Sequence, residues 1–288
     1  MHCGRLETPP PAPYTPSRSA LAMSHSGDTP RIFTQAMGSS GAWAHPLRGS
    51  VPVAWTVNLR LAEMFPALID FYASTATVND SFVAAIGGGG YVFPNQLSPT
   101  QLARYARTVG RLLQRYRVPL VDTYGMASLS DLANFSLAAA AGGGVAPQGY
   151  TSQPLWTNRH SWPLDPFKCN GTARLPDARG TLLLCTSSNL FYEWLDRACP
   201  SCDLAARIEA VAERCPPPPP SALSEPTSEP CIVLVYGGLK YWDGFMPPDS
   251  PLQYFPLLRA TMERLGETYE AITSAELARL GRRATATV

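Results

Sequence analysis

Apolar runs and helical patterns alternate along the chain from residue 51 onward. Short runs rich in β-branched residues predict buried strands, and apolar residues spaced by three and four predict helices between them. The predicted strands are 51–57, 82–86, 118–121, 181–185, 231–236 and 269–272. The predicted helices are 59–72, 99–116, 128–141, 189–198, 203–214, 255–265 and 274–280. This alternation is typical of an α/β domain with a mostly parallel sheet.

Local signals mark where several helices begin and end. Ser98 and Pro99 open the clearest helix, because serine can accept hydrogen bonds from free backbone amides and proline has no amide to leave unpaired. Pro66 interrupts the helix 59–72 and predicts a kink or a restart. The glycines 142–144 predict the end of the helix 128–141.

A mostly parallel sheet has two common arrangements. It is either closed as a β/α barrel, regular or incomplete, or open and doubly wound. In both arrangements ligands bind on the loops that follow the carboxyl ends of the strands. We therefore expect the functional site at that end of the sheet.

Composition changes mark three segments outside the regular pattern. Residues 1–22 lack the apolar core of a secretory signal and are predicted to be a disordered leader. Residues 145–180 show no periodicity and predict a long loop or lid. Residues 216–230 carry a proline run and predict an extended insertion. The rest, 23–288, is predicted to be one α/β domain that contains both insertions.

The charge balance is nearly even, since 23 basic residues face 22 acidic ones for a formal net charge of +1. Nucleic acids and anionic membranes attract strongly basic surfaces. In addition, no apolar run reaches the length of about 20 residues that crosses a bilayer. We therefore expect neither nucleic acid nor a membrane as a partner, and the sequence predicts no cofactor.

Seven cysteines are present, an odd number. Cys199 and Cys202 have the spacing with which two thiolates share a zinc ion or form a disulfide. A structural zinc site would need a second close pair, and Cys185, Cys215 and Cys231 are isolated, so no metal site is predicted. Disulfides fit a secreted protein and buried thiols an intracellular one. The sequence leaves both alternatives, and the localisation, open.

The segment GGGYVFP at 88–94 resembles the signature for which the GxGYxYP family of putative glycoside hydrolases is named. Four positions match that signature: Gly88, Gly90, Tyr91 and Pro94. Phe93 replaces the second tyrosine of the signature. The flanking segments 53–56 and 72–83, and the segment 263–270 near the end, are also similar to the family. The resemblance spans roughly residues 24–282.

The resemblance implies a glycoside hydrolase whose C-terminal domain is β/α-barrel-like and follows a separate N-terminal domain. This chain would hold the C-terminal part. The family also has an acidic segment similar to Ser-Asp-Gly-Asp-Asn near the start of this domain. Here the segment from Ser24 to Asp28 is the nearest match and lacks the first aspartate. If that segment is catalytic in the family, this chain would be an inactive member, so the sequence leaves open whether it is an enzyme.

Glycoside hydrolysis needs two carboxyl groups about 5 to 10 Å apart, one as proton donor and one as nucleophile or base. Asp122 is the first catalytic candidate because it follows a buried apolar run, where barrel enzymes carry catalytic groups. Asp28 and Asp243 are candidates for the second carboxyl group. Asp122 could instead be a turn residue and Asp28 a loop carboxylate. Asp80 precedes a strand and is predicted to stabilise a turn.

Glycines and aromatic residues are predicted to bind the carbohydrate. Gly88 and Gly90 let the backbone approach a ligand closely, and the rings of Tyr91, Trp55 and Trp242 can stack on sugars. The alternatives are a sharp turn for the glycines and core packing for Trp55 and Tyr91. The glycine run is not a dinucleotide-binding fingerprint, because no helix opens within it.

The main expectation is therefore a hydrolase that acts on an oligo- or polysaccharide. The alternative is a carbohydrate-binding or catalytically inactive member of the same family. A metal-dependent deacetylase-like enzyme is not favoured, because it would need an Asp/His/His cluster and His25, His45 and His160 are scattered. The sugar, the linkage, the stereochemistry and the oligomeric state stay open.

Overall fold

The computed structural model describes residues 18–27, 42–85, 87–90, 92, 96–123, 129–152, 172–174, 181–189, 204–213, 231–238 and 254–283. The strands in these ranges are β1 (Arg18–Gly27), β2 (Val53–Val57), β3 (Asp80–Ala84), β4 (Leu120–Thr123), β5 (Gly149–Ser152), β6 (Thr172–Arg174), β7 (Leu182–Asn189), β8 (Ile232–Gly238) and β9 (Tyr269–Ala271). The α-helices are α1 (Leu59–Met64), α2 (Pro66–Thr75), α3 (Pro99–Tyr116), α4 (Leu129–Ala140), α5 (Leu204–Ala212), α6 (Tyr254–Leu265) and α7 (Ser274–Arg283).

The described strands form one sheet, in which every pair of neighbouring strands is parallel except β6 and β7. Neighbours along the sheet follow the order β2-β3-β4-β5-β7-β8-β1-β9. The short strand β6 pairs antiparallel with β7. Strand β1 pairs in parallel with β8, with β9 and, through its later residues, also with β2. The prediction of an α/β domain with a mostly parallel sheet is thus confirmed.

Successive residues of a strand point to opposite faces of the sheet, and each face has its own apolar cluster. We call the face that packs against α7 the inner face. Its cluster consists of Ala54, Val83, Leu120, Ile232 and Leu234 from the strands, Ile272, and Leu277, Ala278 and Leu280 from α7. The opposite, outer face carries Trp55, Phe82 and Tyr150 among others and is covered by α1 to α6. Burial of each large side chain stabilises the fold by roughly 2 kcal/mol.

The predicted helix signals are confirmed in the described residues. Ser98 caps α3 by accepting from the Gln101 amide, while the Gln101 side chain accepts from the Ser98 amide. The predicted helix 59–72 is divided at Phe65, and Pro66 opens α2. Proline therefore restarts the helix here rather than kinking it, because it can occupy a first turn without losing a backbone hydrogen bond.

Helices α3 and α4 pack closely through a glycine. A Cβ atom on Gly110 would lie 2.0 Å from the carbonyl oxygen of Ala139. The periodic pattern of α3 predicts its apolar stripe, but the need for Gly110 arises from the neighbouring helix.

Several strand boundaries differ from the predictions. Strand β1 begins at Arg18, inside the range 1–22 predicted as leader, and β5 and β6 lie inside the range 145–180 predicted as loop. These strands were missed because β1 and β5 are rich in small and polar residues and β6 has three residues, too few for periodicity. Strand β7 also extends to Asn189, beyond the predicted 181–185.

Two predicted features lie almost wholly outside the described residues: the helix over 189–198, of which only Asn189 is described, as the end of β7, and the proline-rich insertion 216–230. Among the helices that are described, none is both long and apolar enough to span a membrane. Cys231, just before β8, is disulfide-bonded, and the localisation stays open.

Candidate functional site

The candidate site lies where β2, β3, β4 and β5 end. Asn58 follows β2, the glycine turn 87–90 follows β3, and Asp122 and Thr151 lie near the carboxyl ends of β4 and β5. These four positions come from separate parts of the chain and meet because the strands are parallel neighbours. The sequence predicts the functional site at this end of the sheet, because parallel sheets bind ligands there.

Asp122 is a fully buried carboxylate on the inner face of the sheet. It is the third residue of β4 and shares its face with Leu120 by strand alternation. The prediction that Asp122 follows the strand is wrong by two residues, because pairing with β5 continues through Thr123. The side chain, 0% exposed, accepts a hydrogen bond at Oδ1 from Thr151 Oγ1 at 2.7 Å.

The glycine turn is packed directly onto α3. Gly88 has a φ of +89°, and a Cβ atom there would lie 2.5 Å from Cγ1 of Val109. The turn is also tied to β4, because the Gly87 amide donates to the Asp122 carbonyl oxygen at 2.7 Å. Gly88 and Gly90 are both buried. A glycine is therefore required at position 88 for packing. This agrees with the alternative in which the glycines form a sharp turn.

The backbone amides of the turn are engaged within the protein. Besides Gly87, the Gly88 amide donates to the Ala85 carbonyl at 2.9 Å, and the Gly89 amide donates to the Tyr105 hydroxyl at 3.0 Å. An anion cradle needs such amides pointing at the ligand. The first three glycines therefore do not form a phosphate-binding loop, in agreement with the sequence.

Tyr105 supports the turn from α3. Burial raises the pKa of Tyr105 to about 12, although the hydrogen bond from Gly89 and the charge of Arg60 both lower it. The phenol therefore keeps its proton at neutral pH. As a neutral hydroxyl it accepts from the Gly89 amide and holds the turn against the helix.

Asn58 connects the end of β2 to the same turn. Its Oδ1 accepts from the amides of Arg60 and Leu61, at 2.9 and 3.3 Å, and so caps α1. Its Nδ2 lies beside Gly90, where a Cβ atom would be 3.2 Å away. Asn58 was not predicted as a site residue. An asparagine between a strand and a helix is a capping signal, but its closeness to the glycines depends on strand order.

Trp55 lies on the outer face, away from Asp122. It is 0% exposed, and its ring packs near Trp43 and Phe255 at centroid distances of 5.1 and 5.9 Å. Its indole N–H donates to Asp80 Oδ1 at 2.8 Å. These contacts favour the alternative in which Trp55 packs in the core. Stacking on a sugar would need an exposed face of the ring.

Asp80 opens β3 at the amino end of the sheet and has a structural environment. Its Oδ2 accepts from the Thr77 amide and hydroxyl, both at 2.8 Å, and forms an ion pair with Arg48. Together with the Trp55 indole, these donors surround a side chain that is 1% exposed. The turn role predicted for Asp80 agrees with these contacts.

The remaining predicted site residues, Asp28, Tyr91, Trp242 and Asp243, lie outside the described residues. Their positions relative to Asp122 stay predictions. In the part of the chain that the structure describes, no group of three or more His, Cys, Asp or Glu side chains could hold a metal ion.

Comparison with a solved structure shows the fold. A putative hydrolase from Bacteroides thetaiotaomicron VPI-5482 superposes with a TM-score of 0.69 over 97% of this chain, at 14% identity. This chain covers 48% of that protein, so it spans about half the length of its structural neighbour. At such low identity the likeness concerns the fold alone. A comparison with curated proteins finds no match.

The family comparison covers the first four strands in chain order. The sequence profile of the GxGYxYP putative glycoside hydrolase C-terminal domain matches residues 20–140. This segment runs from β1 to α4 and includes Asn58, the glycine turn and Asp122. The resemblance to the GxGYxYP family is therefore confirmed for residues 20–140.

Proposed function

We propose that this protein is a carbohydrate-active hydrolase that cleaves glycosidic bonds in an oligo- or polysaccharide. One observation carries the proposal: a buried carboxylate, Asp122, lies on the inner face near the carboxyl end of a parallel strand, inside the segment that matches the family. In β/α enzymes this end of the sheet carries the catalytic groups.

We further propose that the sheet closes in the manner of a β/α barrel. Support comes from β1, which pairs with β8 on one side and with β2 on the other. Because β2 begins the strand order and β8 lies near its end, β1 joins the two ends. The packing of α7 against the inner face supports access to the site from the opposite, carboxyl end.

The proposed reaction needs a second carboxyl group. The bond between the anomeric carbon and the glycosidic oxygen breaks, and that oxygen takes a proton from an acid carboxyl group. Water supplies a hydroxyl group to the anomeric carbon, and its other proton restores the acid. We assign Asp122 as one carboxylate and Asp28 or Asp243 as its partner, at the separation of about 5 to 10 Å that such pairs need.

Aromatic and backbone groups are proposed to bind the sugar. Tyr91 and Trp242 are the proposed stacking residues. Gly88 and Gly90 are proposed as backbone contacts, although both are buried in the ligand-free protein. Trp55 was predicted for the same role, but its ring is fully buried and would have to become exposed before it could stack on a sugar.

The alternative function is carbohydrate binding without catalysis. Two observations favour it: Asp122 is completely buried and hydrogen-bonded to a neighbouring strand, as a structural carboxylate would be. The acidic segment ending at Asp28 also lacks the first aspartate of the family pattern.

A turnover and binding screen separates the two functions. The purified chain is incubated with a panel of oligosaccharides, and released reducing ends and melting shifts are measured together. The catalytic proposal predicts reducing ends with the wild type and none with Asp122→Asn. Asp80→Asn is the matched control, because it changes another buried carboxylate at the far end of the sheet. A melting shift without turnover would support the binding function, and no response in either assay would contradict both.

A further inference from the structure

Thr151 contacts the Asp122 carboxyl group directly. The two residues are opposite each other in the β4–β5 register, and both are 0% exposed. Thr151 Oγ1 donates to Asp122 Oδ1 at 2.7 Å. A short hydrogen bond from a donor with a fixed position restrains the orientation of the acceptor, so this contact helps to orient the Asp122 carboxyl group.

Strand β5 is itself held firmly in place, so the Thr151 hydroxyl has a fixed position. On the outer face, the Tyr150 hydroxyl lies 2.7 Å from Ser136 Oγ and donates to the Leu132 carbonyl at 3.4 Å. These contacts tie β5 to α4. Strand β5 also pairs in parallel with β4 on one side and with β7 on the other.

We propose that Thr151 is a positioning residue that holds Asp122 as an oriented, hydrogen-bond-accepting carboxylate. This inference rests on the proposed hydrolase function. Catalytic carboxylates must be held within a fraction of an ångström of the productive geometry, and this requires a supporting residue whose own conformation is fixed. Thr151 has that property, because the neighbouring Tyr150 ties the strand to α4 and the strand pairs with β4 on one side and β7 on the other.

Isosteric substitutions test the positioning role. Thr151→Val removes the hydroxyl and keeps the shape, so kcat should fall by about 100-fold, the effect of a small misplacement of reacting groups. KM should change little. Thr151→Ser keeps the hydroxyl and should restore most of kcat. In the Asp122→Asn background, Thr151→Val should cause no further loss, because its effect passes through Asp122.

Thr123→Val is the matched control for the loss of a buried hydroxyl. It removes a hydrogen bond between the same two strands without touching the carboxylate, so it should lower the melting temperature and leave kcat near the wild-type value. An equal loss of kcat in Thr123→Val and Thr151→Val would overturn the positioning role.

A crystallographic comparison of the ligand-free variants keeps this test separate from the proposed function. In Thr151→Val the Asp122 carboxylate should rotate or occupy two orientations, and in Thr123→Val it should stay as in the wild type. An unchanged carboxylate in Thr151→Val would contradict the inference. If the wild type hydrolysed none of the glycosides, the hydrolase proposal would fail, but this measurement would still decide whether Thr151 positions Asp122.

Discussion

Two buried carboxylates lie at opposite ends of the same parallel sheet, and they differ in face and surroundings. Asp80, at the amino end, belongs to the outer face and receives donors from Arg48, Thr77 and Trp55. Asp122, toward the carboxyl end, belongs to the inner face and receives the Thr151 hydroxyl. The first environment is that of a structural ion pair under covering helices. The second is in the place where parallel sheets bind ligands.

Burial of a carboxylate does not by itself indicate function. Asp80 and Asp122 are almost equally buried. What separates them is the end of the strand and the face of the sheet on which each lies. We therefore expect substitutions at Asp80 to change stability and substitutions at Asp122 to change chemistry.

The largest expected effect on stability is that of Asp80→Asn. The substitution removes the partner of Arg48 and places an amide against donors, so the free energy of unfolding should fall by about 3 kcal/mol, as for a broken buried ion pair. Denaturant unfolding measures this loss. A change below about 1 kcal/mol, the range of surface ion pairs, would contradict the structural role of Asp80 and with it the difference between the two carboxylates.

Gly88→Ala should have an effect of similar size, because the site end of the sheet is also packed. The alanine would have a left-handed φ, costing about 1–2 kcal/mol, and would crowd Val109 at a cost of about 1–3 kcal/mol. Gly143→Ala is the control, since Gly143 also has a positive φ of +83° but no atom lies within 4 Å of its Cβ position. Equal losses in the two variants, measured by chemical unfolding, would show that the turn is not packed on α3.

Tyr105→Phe should have the smallest effect at neutral pH. It leaves the Gly89 amide without this acceptor and should lower the free energy of unfolding by about 1 kcal/mol. A larger difference is expected in alkaline solution. The pKa of Tyr105 is raised by burial to about 12 from an ordinary value of 10.

The raised pKa of Tyr105 determines how stability changes with pH. Below pH 10 the phenol is protonated in both states and its contribution to stability is complete. Between pH 10 and about 12 the unfolded chain loses this proton first, so the wild type loses stability as the pH rises. Tyr72, whose pKa burial also raises, acts in the same direction. Tyr105→Phe should show a shallower loss over this window, and an unchanged slope would contradict the buried position of Tyr105.

Elements with strong local signals could be predicted from the sequence. The apolar run of β8 and the capped, periodic α3 were both found close to their predicted bounds. Strand β5 was missed because its buried polar residues are satisfied by partners that lie far away in the sequence, such as Ser136 for Tyr150. A hydrophobic pattern cannot show a polar residue that is buried through such a contact.

The candidate site was only partly predictable for the same reason. The strand before Asp122 has a clear apolar pattern, which directed attention to this carboxylate. Thr151 and Asn58 have no comparable signal, because their relation to Asp122 and Gly90 depends on which strands become neighbours. Trp55 was predicted by residue type, and strand alternation places its ring on the outer face.

The most direct test of the account compares hydrolysis by the wild type, Asp122→Asn and Asp80→Asn on the same oligosaccharide, each assayed well below its melting temperature. The account predicts that Asp122→Asn loses turnover by about 1000-fold or more, the scale of a missing catalytic carboxylate. Its melting temperature should stay near the wild-type value, because the amide oxygen can still accept from Thr151. Asp80→Asn should melt earlier and keep its turnover. Full turnover in Asp122→Asn would contradict the central claim.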